Sequence, residues 1–149
     1  MFHERQTSKD CAVHSLNNAM GWEVISPEEV SGEIDKRVEI YTKALGTKRG
    51  KAYRDSLSED NTFFSAEAVW YASAALGRTG IPKPIEYKDI DTYKDRHMIL
   101  LGIVPDGSRH AVGVRQGLIF DSLNDGPAVP LTDENIKKIY KEVLGVFVF

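Results

Sequence analysis

The chain holds a single cysteine, Cys11, among its 149 residues. One cysteine cannot close an internal disulfide, which is compatible with a reducing compartment. No apolar run approaches the roughly 20 residues that a membrane-crossing helix needs, so no membrane partner is expected. Residues 1–10, MFHERQTSKD, are polar and contain no apolar h-region, so no secretory signal is expected. Basic residues are not in excess: 19 Lys and Arg against 22 Asp and Glu leave a net charge of −3, without the electrostatic footprint of a nucleic-acid binder. The one small basic cluster, Lys48-Arg49-Gly50-Lys51, reads as a solvated loop. A lone cysteine and four scattered histidines do not make a zinc site, and neither a metal nor a cofactor is expected. No internal repeat or low-complexity segment is visible. The length suits one domain with its own core, spanning 1–149. A hydrophobic content of 42% with 28% charged residues is that of an ordinary globular protein.

What is present is concentrated in Gln6-Thr7-Ser8-Lys9-Asp10-Cys11-Ala12-Val13-His14-Ser15-Leu16-Asn17-Asn18. From Cys11 onward Ala12, Leu16 and Ala19 or Met20 recur near the helical period, and Gly21 can close the helix. Cys11 then lies in the first turn. Unpaired backbone N–H groups and the positive end of the helix dipole favour a thiolate there. The competing reading is a small buried hydrophobe, the commoner fate of a free cysteine. Asp10 also opposes activation, since an adjacent carboxylate disfavours a thiolate. A nucleophile at Cys11 therefore needs a base from elsewhere in the chain.

Ser26-Pro27-Glu28-Glu29 is a helix start: Ser26 caps, Pro27 fits the first helical position and Glu29 completes a capping box. Val30, Ile34, Val38, Tyr41 and Leu45 then form an apolar stripe, expected to pack on the body of the domain. Residues 46–61 read as a long connection with a short helix around Ala52 to Leu57. Ser65 or Thr62 opens a further helix through Leu76, with Gly77 just beyond it. From Gly80 the pattern changes. Pro84 to Tyr87 suits a short edge strand, and Met98 to Val104 a central buried one. Pro105-Asp106-Gly107 is a turn, and Asn124-Asp125-Gly126-Pro127 another. His110 to Arg115 and Leu118 to Asp121 read as strands joined at Gln116-Gly117. Thr132 caps a helix carrying Ile136, Ile139, Tyr140 and Val143 on one side, and Val146 to Phe149 is a last strand. Helices first and an antiparallel sheet afterwards predict an α+β fold.

A thiol nucleophile requires a histidine to move its proton and a group to orient that histidine. His3 lies in the terminal segment. His14 is beside Cys11 on the helix surface, with its side chain leaning back along the helix. His97 opens the central strand without an evident orienting partner. His110 opens a strand whose hairpin partner ends in Asp121. With Gln116-Gly117 as a two-residue turn, Arg115 faces Leu118 and Val112 faces Asp121. His110 and Asp121 then share a face as diagonal neighbours, about 7–8 Å or somewhat less between Cβ atoms. A four-residue loop keeps this register, whereas a three-residue loop sends Asp121 to the other face.

Cys11-Ala12-x-His14-x-Leu16-Asn17-Asn18, preceded by His3-Glu4-x-Gln6, resembles the start of a Josephin domain, the papain-like catalytic domain of ataxin-type deubiquitinases. Ser26-Pro27-x-Glu29-Val30 and Phe63-Phe64-Ser65 resemble later segments of that family. The similarity is dense over the first third, thin from Ile40 to Asp60, and patchy to Pro127. It implies a papain-like α+β fold, with a helical part whose catalytic Cys11 sits at a helix N-terminus packed on an antiparallel sheet. It also implies a helical arm at about 27–60 that helps form a ubiquitin surface. In the family the order is Cys, His, then Asn or Asp on the following strand, and the histidine matching His14 is not the base. Aligning Asp121-Ser122-Leu123 with the family's Asn-Ser-Leu, and Gly126-Pro127 with its Gly-Pro, puts Asp121 at the third position after a two-residue gap. The ungapped alternative places Leu123 there, which cannot orient a histidine, and Asn124 is the runner-up. Asp121 is expected to hold His110 through its Nδ1–H and stabilise the imidazolium. Gln6 matches the family's oxyanion donor, acting with the backbone N–H of the cysteine. The tryptophan that often follows the family's histidine is Ala111 here, which bears on substrate affinity or identity. The implied activity is thiol hydrolysis of the bond after the C-terminal glycine of ubiquitin or polyubiquitin. The implied location is the cytoplasm, that of a host if a pathogen delivers the protein. A papain-like protease or acyltransferase with another substrate, or a silent ubiquitin-binding module, remain open alternatives.

Overall fold

Helix α1 starts at Cys11 and ends at Met20, where Gly21 takes φ 85° and returns its N–H to the Asn17 carbonyl at 2.8 Å. This computed structural model describes residues 1–4, 10–60, 63–124 and 126–149, with 58–60 and 63–64 by backbone alone. Helix α2, Pro27–Leu45, opens with the expected capping box: Glu29 N–H donates to Ser26 Oγ and Ser26 N–H to Glu29 Oε1, both at 3.2 Å. Such a box satisfies two otherwise orphaned donors and contributes about 1 kcal/mol.

The stripe on α2 is only half used. Val30 and Ile34 are buried and Val38 packs beside them, but Tyr41 and Leu45 are 38% and 48% exposed. The outer half of α2 leaves the body and meets α3, Thr47–Ser56, instead. The expected long connection with a short helix is thus corrected to a helix of 10 residues, α3. Its composition is polar, so propensity alone predicts little; packing on α2 supplies the missing stabilisation. Gly50 lets the two helices touch, since a Cβ there would lie 1.9 Å from Thr42 Oγ1. Tyr53 stacks on Tyr41 with ring centroids 4.0 Å apart, and Arg54 pairs with Asp35 at 2.5 Å.

A small antiparallel ladder follows, β1 (Ser58–Asp60) with β2 (Phe63–Phe64). Helix α4, Ala66–Ala75, is capped by Ser65, whose Oγ accepts from Ala68 N–H at 3.2 Å. The alternative cap, Thr62, lies outside the described residues.

The second half is an antiparallel sheet of six strands: β3 (Lys83–Ile85), β4 (Met98–Ile103), β5 (Arg109–Arg115), β6 (Leu118–Phe120), β7 (Val129–Pro130) and β8 (Glu142–Val148), in the order β3-β8-β4-β5-β6-β7. The apolar run at 98–104 occupies the interior, between β8 and β5, as its continuous hydrophobicity predicts. A 3-10 helix at Tyr87–Tyr93, which no sequence signal announced, links β3 to β4. Thr132 caps helix α5, Asp133–Ile139, accepting from Asn135 N–H at 3.1 Å. This helix stops earlier than expected: Tyr140 is extended (φ −114°, ψ 133°), and Val143 belongs to β8.

Side chains alternate across the sheet as the strand period requires. Ile99 and Ala111 face a core shared with α1, α2 and α4; Met98, Leu100, Val112 and Val114 face a second core with Ile136 and Tyr140. The molecule is therefore α+β, with helices on both faces of an antiparallel sheet. Helix α1 crosses β5 at Gly113, where a Cβ would lie 2.5 Å from Ser15 O and Ala19 N. This contact sets the height of Cys11 over the sheet. Among the described residues, no helix is long and apolar enough to cross a membrane.

Candidate active site

Cys11 is the first residue of α1 and is partly exposed, so its thiol is both at a helix N-terminus and within reach of solvent. Asp10 holds the N-cap position without a capping bond from its side chain, and its carbonyl accepts from His14 N–H at 3.2 Å.

His110 comes from β5. The β5–β6 hairpin closes in a two-residue turn with Gln116 at φ 52° and Gly117 at φ 71°, the double positive φ of a type I′ turn. Arg115 pairs with Leu118 and Gly113 with Phe120, which is the register anticipated from the sequence. Asp121 is the first residue beyond this ladder; its Oδ1 lies 2.7 Å from His110 Nε2, and the two side chains are 15% and 4% exposed. A carboxylate only accepts, so Nε2 carries the proton and donates. The nitrogen is the opposite of the one expected: Asp121 holds Nε2–H rather than Nδ1–H. The reason is reach, since diagonal neighbours across a hairpin meet through the far end of the ring. Nδ1 is the ring nitrogen that the carboxylate does not take, and Cys11 is a neighbour of the His110 ring.

Electrostatics follow from this order. Burial pulls His110 down, but the hydrogen bond and charge of Asp121, with Cys11 alongside, raise it from 6.5 to about 9. Asp121 behaves conversely. Burial raises it, yet the bond and charge of His110 and the Leu123 N–H hold it below the usual carboxylate range. That N–H donates to Oδ1 at 3.0 Å, so the same oxygen is fixed from two sides.

Beneath His110 lies Tyr140, a residue whose spacing in the sequence places it only on a helix face. Its hydroxyl is 3.0 Å from the Leu100 carbonyl and 3.1 Å from that of His110, and shares one proton between them. Gly102, paired with His110 across β4 and β5, makes room for the ring; a Cβ there would lie 2.5 Å from Tyr140 Cδ1.

The other described candidates lie apart from this pair. Gln6 lies outside the described residues. Asn124 is exposed and turns its Oδ1 to Gly126 N–H at 2.9 Å, within its own turn. His14 Nδ1 bonds Glu4 Oε1 rather than approaching the Cys11–His110 pair. His97 Nδ1 donates to the Ala19 carbonyl at 2.6 Å, at the far end of α1. Among the described residues, no group of three or more His, Cys, Asp and Glu is arranged to hold a metal ion.

Two buried amides, which the sequence shows only as parts of a motif, brace α1. Asn17 and Asn18 are buried on α1, against the usual preference of amides for surface. Asn17 Oδ1 accepts from Val24 N–H at 2.9 Å and Ile25 N–H at 3.2 Å, fixing the α1–α2 loop. Asn18 exchanges two bonds with the Glu4 backbone, at 2.6 and 3.1 Å. Two adjacent amides amid the apolar residues of a helix are a signal of this kind, because buried amides need local partners.

No protein-family model matches the chain, and no curated protein matches it significantly.

Proposed function

We propose that this chain is a papain-like cysteine peptidase of Josephin type, hydrolysing the bond after the C-terminal glycine of ubiquitin. The observation that carries the chemistry is the 2.7 Å contact of His110 Nε2 with Asp121 Oδ1, beside Cys11 as a neighbour of the same ring. The ubiquitin assignment rests on the resemblance of residues 3–18 to that family.

In this reading Cys11 gives its proton to His110 Nδ1, and the imidazolium is stabilised by Asp121 through Nε2. The thiolate adds to the glycine carbonyl. The backbone N–H of Cys11 receives the negative oxygen, joined by Gln6 as the resemblance implies. His110 returns its proton to the leaving amine as the C–N bond breaks, leaving a thioester on Cys11. Water, deprotonated by His110, then adds to the thioester, and Cys11 leaves as thiolate. The outer half of α2 with α3 supplies the arm. Between it and α4 runs a mainly apolar groove lined by Ile34, Arg37, Tyr53, Leu57, Ala68 and Tyr71, suited to a protein surface rather than a small polar substrate.

The test is ubiquitin carrying a C-terminal thiol-reactive warhead, with the product weighed by mass spectrometry. Since Cys11 is the only cysteine, a thiol adduct can form nowhere else. A one-to-one adduct that fails to form with His110→Ala or with enzyme denatured beforehand supports both thiol activation and ubiquitin recognition. Absence of an adduct, with Cys11 still alkylated rapidly by iodoacetamide, keeps the peptidase chemistry and removes ubiquitin. Stable binding without any adduct or fast alkylation points to the silent binding module.

A further inference from the structure

Residues 1–4 do not trail from the fold. They are tied down at three successive positions. The Phe2 carbonyl accepts from Arg115 Nη2 at 2.5 Å. His3 Nε2 lies 2.9 Å from the Asp121 carbonyl. Glu4 is bound through its N–H and carbonyl to Asn18, and through its carboxylate to His14 and to Asn17 Nδ2 at 3.0 Å. Burial raises the Glu4 carboxyl, but the bonds to His14 and Asn17 hold it below the usual range.

Among the described residues, the strap reaches the candidate machinery through His3. A carbonyl only accepts, so His3 carries its proton on Nε2 and donates. The ring also stands edge-on to Phe120, with centroids 5.2 Å apart and planes at 88°. Phe120 is held on another side by the Arg115 guanidinium, 3.8 Å from its centroid. Arg115 is buried and donates to the Asn18 carbonyl at 2.6 Å, besides Phe2. Strap, α1 and the end of β6 are thus one cross-linked unit.

Asp121 stands where β6 has ended, so its backbone is no longer held by the sheet ladder. Its carbonyl receives two donors, His3 and Asn124 N–H at 3.1 Å, while its carboxylate reaches His110. A carboxylate that orients an imidazole must itself be oriented, because a displacement of about an ångström costs roughly two orders of magnitude in rate.

We infer that His3 is a positioning residue: donating from the strap to the Asp121 carbonyl, it holds the carboxylate in register with His110. This rests on the Cys11–His110–Asp121 reading of the site. It predicts that the N–H, not the ring, is what matters.

The experiment alkylates Cys11 with iodoacetamide at neutral pH and follows the rate by mass spectrometry. Turnover of ubiquitin with a fluorogenic C-terminal amide is measured in parallel. His3→Phe keeps the edge-on ring and removes the donor; His3→Gln returns a donor near the Nε2 position. Both rates are expected to fall about tenfold in His3→Phe and to recover within about threefold in His3→Gln, the scale of one hydrogen bond. KM should stay unchanged, so the loss appears in kcat. His97→Phe removes a comparable His-to-carbonyl bond at the far end of α1 and should leave both rates unaltered. Equal rates in wild type and His3→Phe, or no recovery with His3→Gln, overturn the inference in favour of a plain tether. If His3→Phe does not fold, His3→Ala is compared with His3→Gln in the same way. His110→Ala and Asp121→Ala separate the two levels. If these alkylate as fast as wild type, the catalytic reading fails; if they slow and His3→Phe does not, only the role of His3 fails.

Discussion

Asp121 Oδ1 lies 2.7 Å from His110 Nε2, so the carboxylate takes the far nitrogen of the imidazole. The carboxylate does this from just past the end of β6, where its Oδ1 is also bound by the Leu123 N–H at 3.0 Å. The same carboxylate oxygen is thus held both from β5 and from its own turn.

Cys11→Ala should abolish turnover of a ubiquitin C-terminal amide while the thermal midpoint moves by no more than a few degrees. Cys11 is partly exposed, and the change removes one sulfur atom without opening a sealed cavity. Full activity in this variant would remove Cys11 as the nucleophile.

Asp121→Ala should lower kcat by about 10²–10⁴-fold, the range for losing a group that sets up proton transfer. Asn124→Ala should change it less than about threefold, since that side chain serves its own turn and a surface change has small effects. Steady-state kinetics on both variants decide the matter. The opposite ranking would transfer the orienting role to Asn124.

The titration of His110 should be displaced upward. Its pKa is about 9 against an ordinary 6.5, so its contribution to stability is complete below pH 6.5 and is lost as pH rises through 9. The amount is on the order of 3 kcal/mol, at 1.36 kcal/mol per pH unit. NMR of the ring C–H should give a midpoint near 9 in the wild type and a much lower one in Asp121→Asn, where burial acts without the carboxylate. Urea unfolding at several pH values should show the wild-type advantage over Asp121→Asn shrinking across the same window. A midpoint near 6.5 in both proteins would contradict the geometry.

Two glycines should respond with opposite sign. Gly113→Ala places a methyl 2.5 Å from the backbone of α1 and should destabilise by about 2–4 kcal/mol. It should also slow alkylation of Cys11, because α1 must lift from β5. Gly32→Ala, inside α2 with nothing within 4 Å, should stabilise by about 0.5–1 kcal/mol and leave alkylation alone. Thermal and urea unfolding test both signs.

Much of the site was legible because its determinants are local. Caps at Ser26, Ser65 and Thr132 act within one helical turn, and Gln116-Gly117 closes its hairpin within two residues. The hairpin register follows from that turn, and with it the common face of His110 and Asp121. The alternation of Met98 to Ile103 between two cores is likewise a property of the strand itself.

What tertiary structure alone decided are the matters settled by non-local contact. Helix α3 forms at full length because Gly50 and Tyr53 meet α2, which no count of its polar residues reveals. The outer half of the α2 stripe stays exposed because the body of the domain does not extend that far. Tyr140 leaves its helix to place a hydroxyl between two strand carbonyls, and His3 reaches Asp121 across a separation of 118 residues. The choice of Nε2 over Nδ1 depends on distances across a folded hairpin. Local chemistry selects the pieces and their faces within a few residues. Which atoms finally touch depends on contacts between segments that are distant in sequence, and those exist only when the whole chain is assembled.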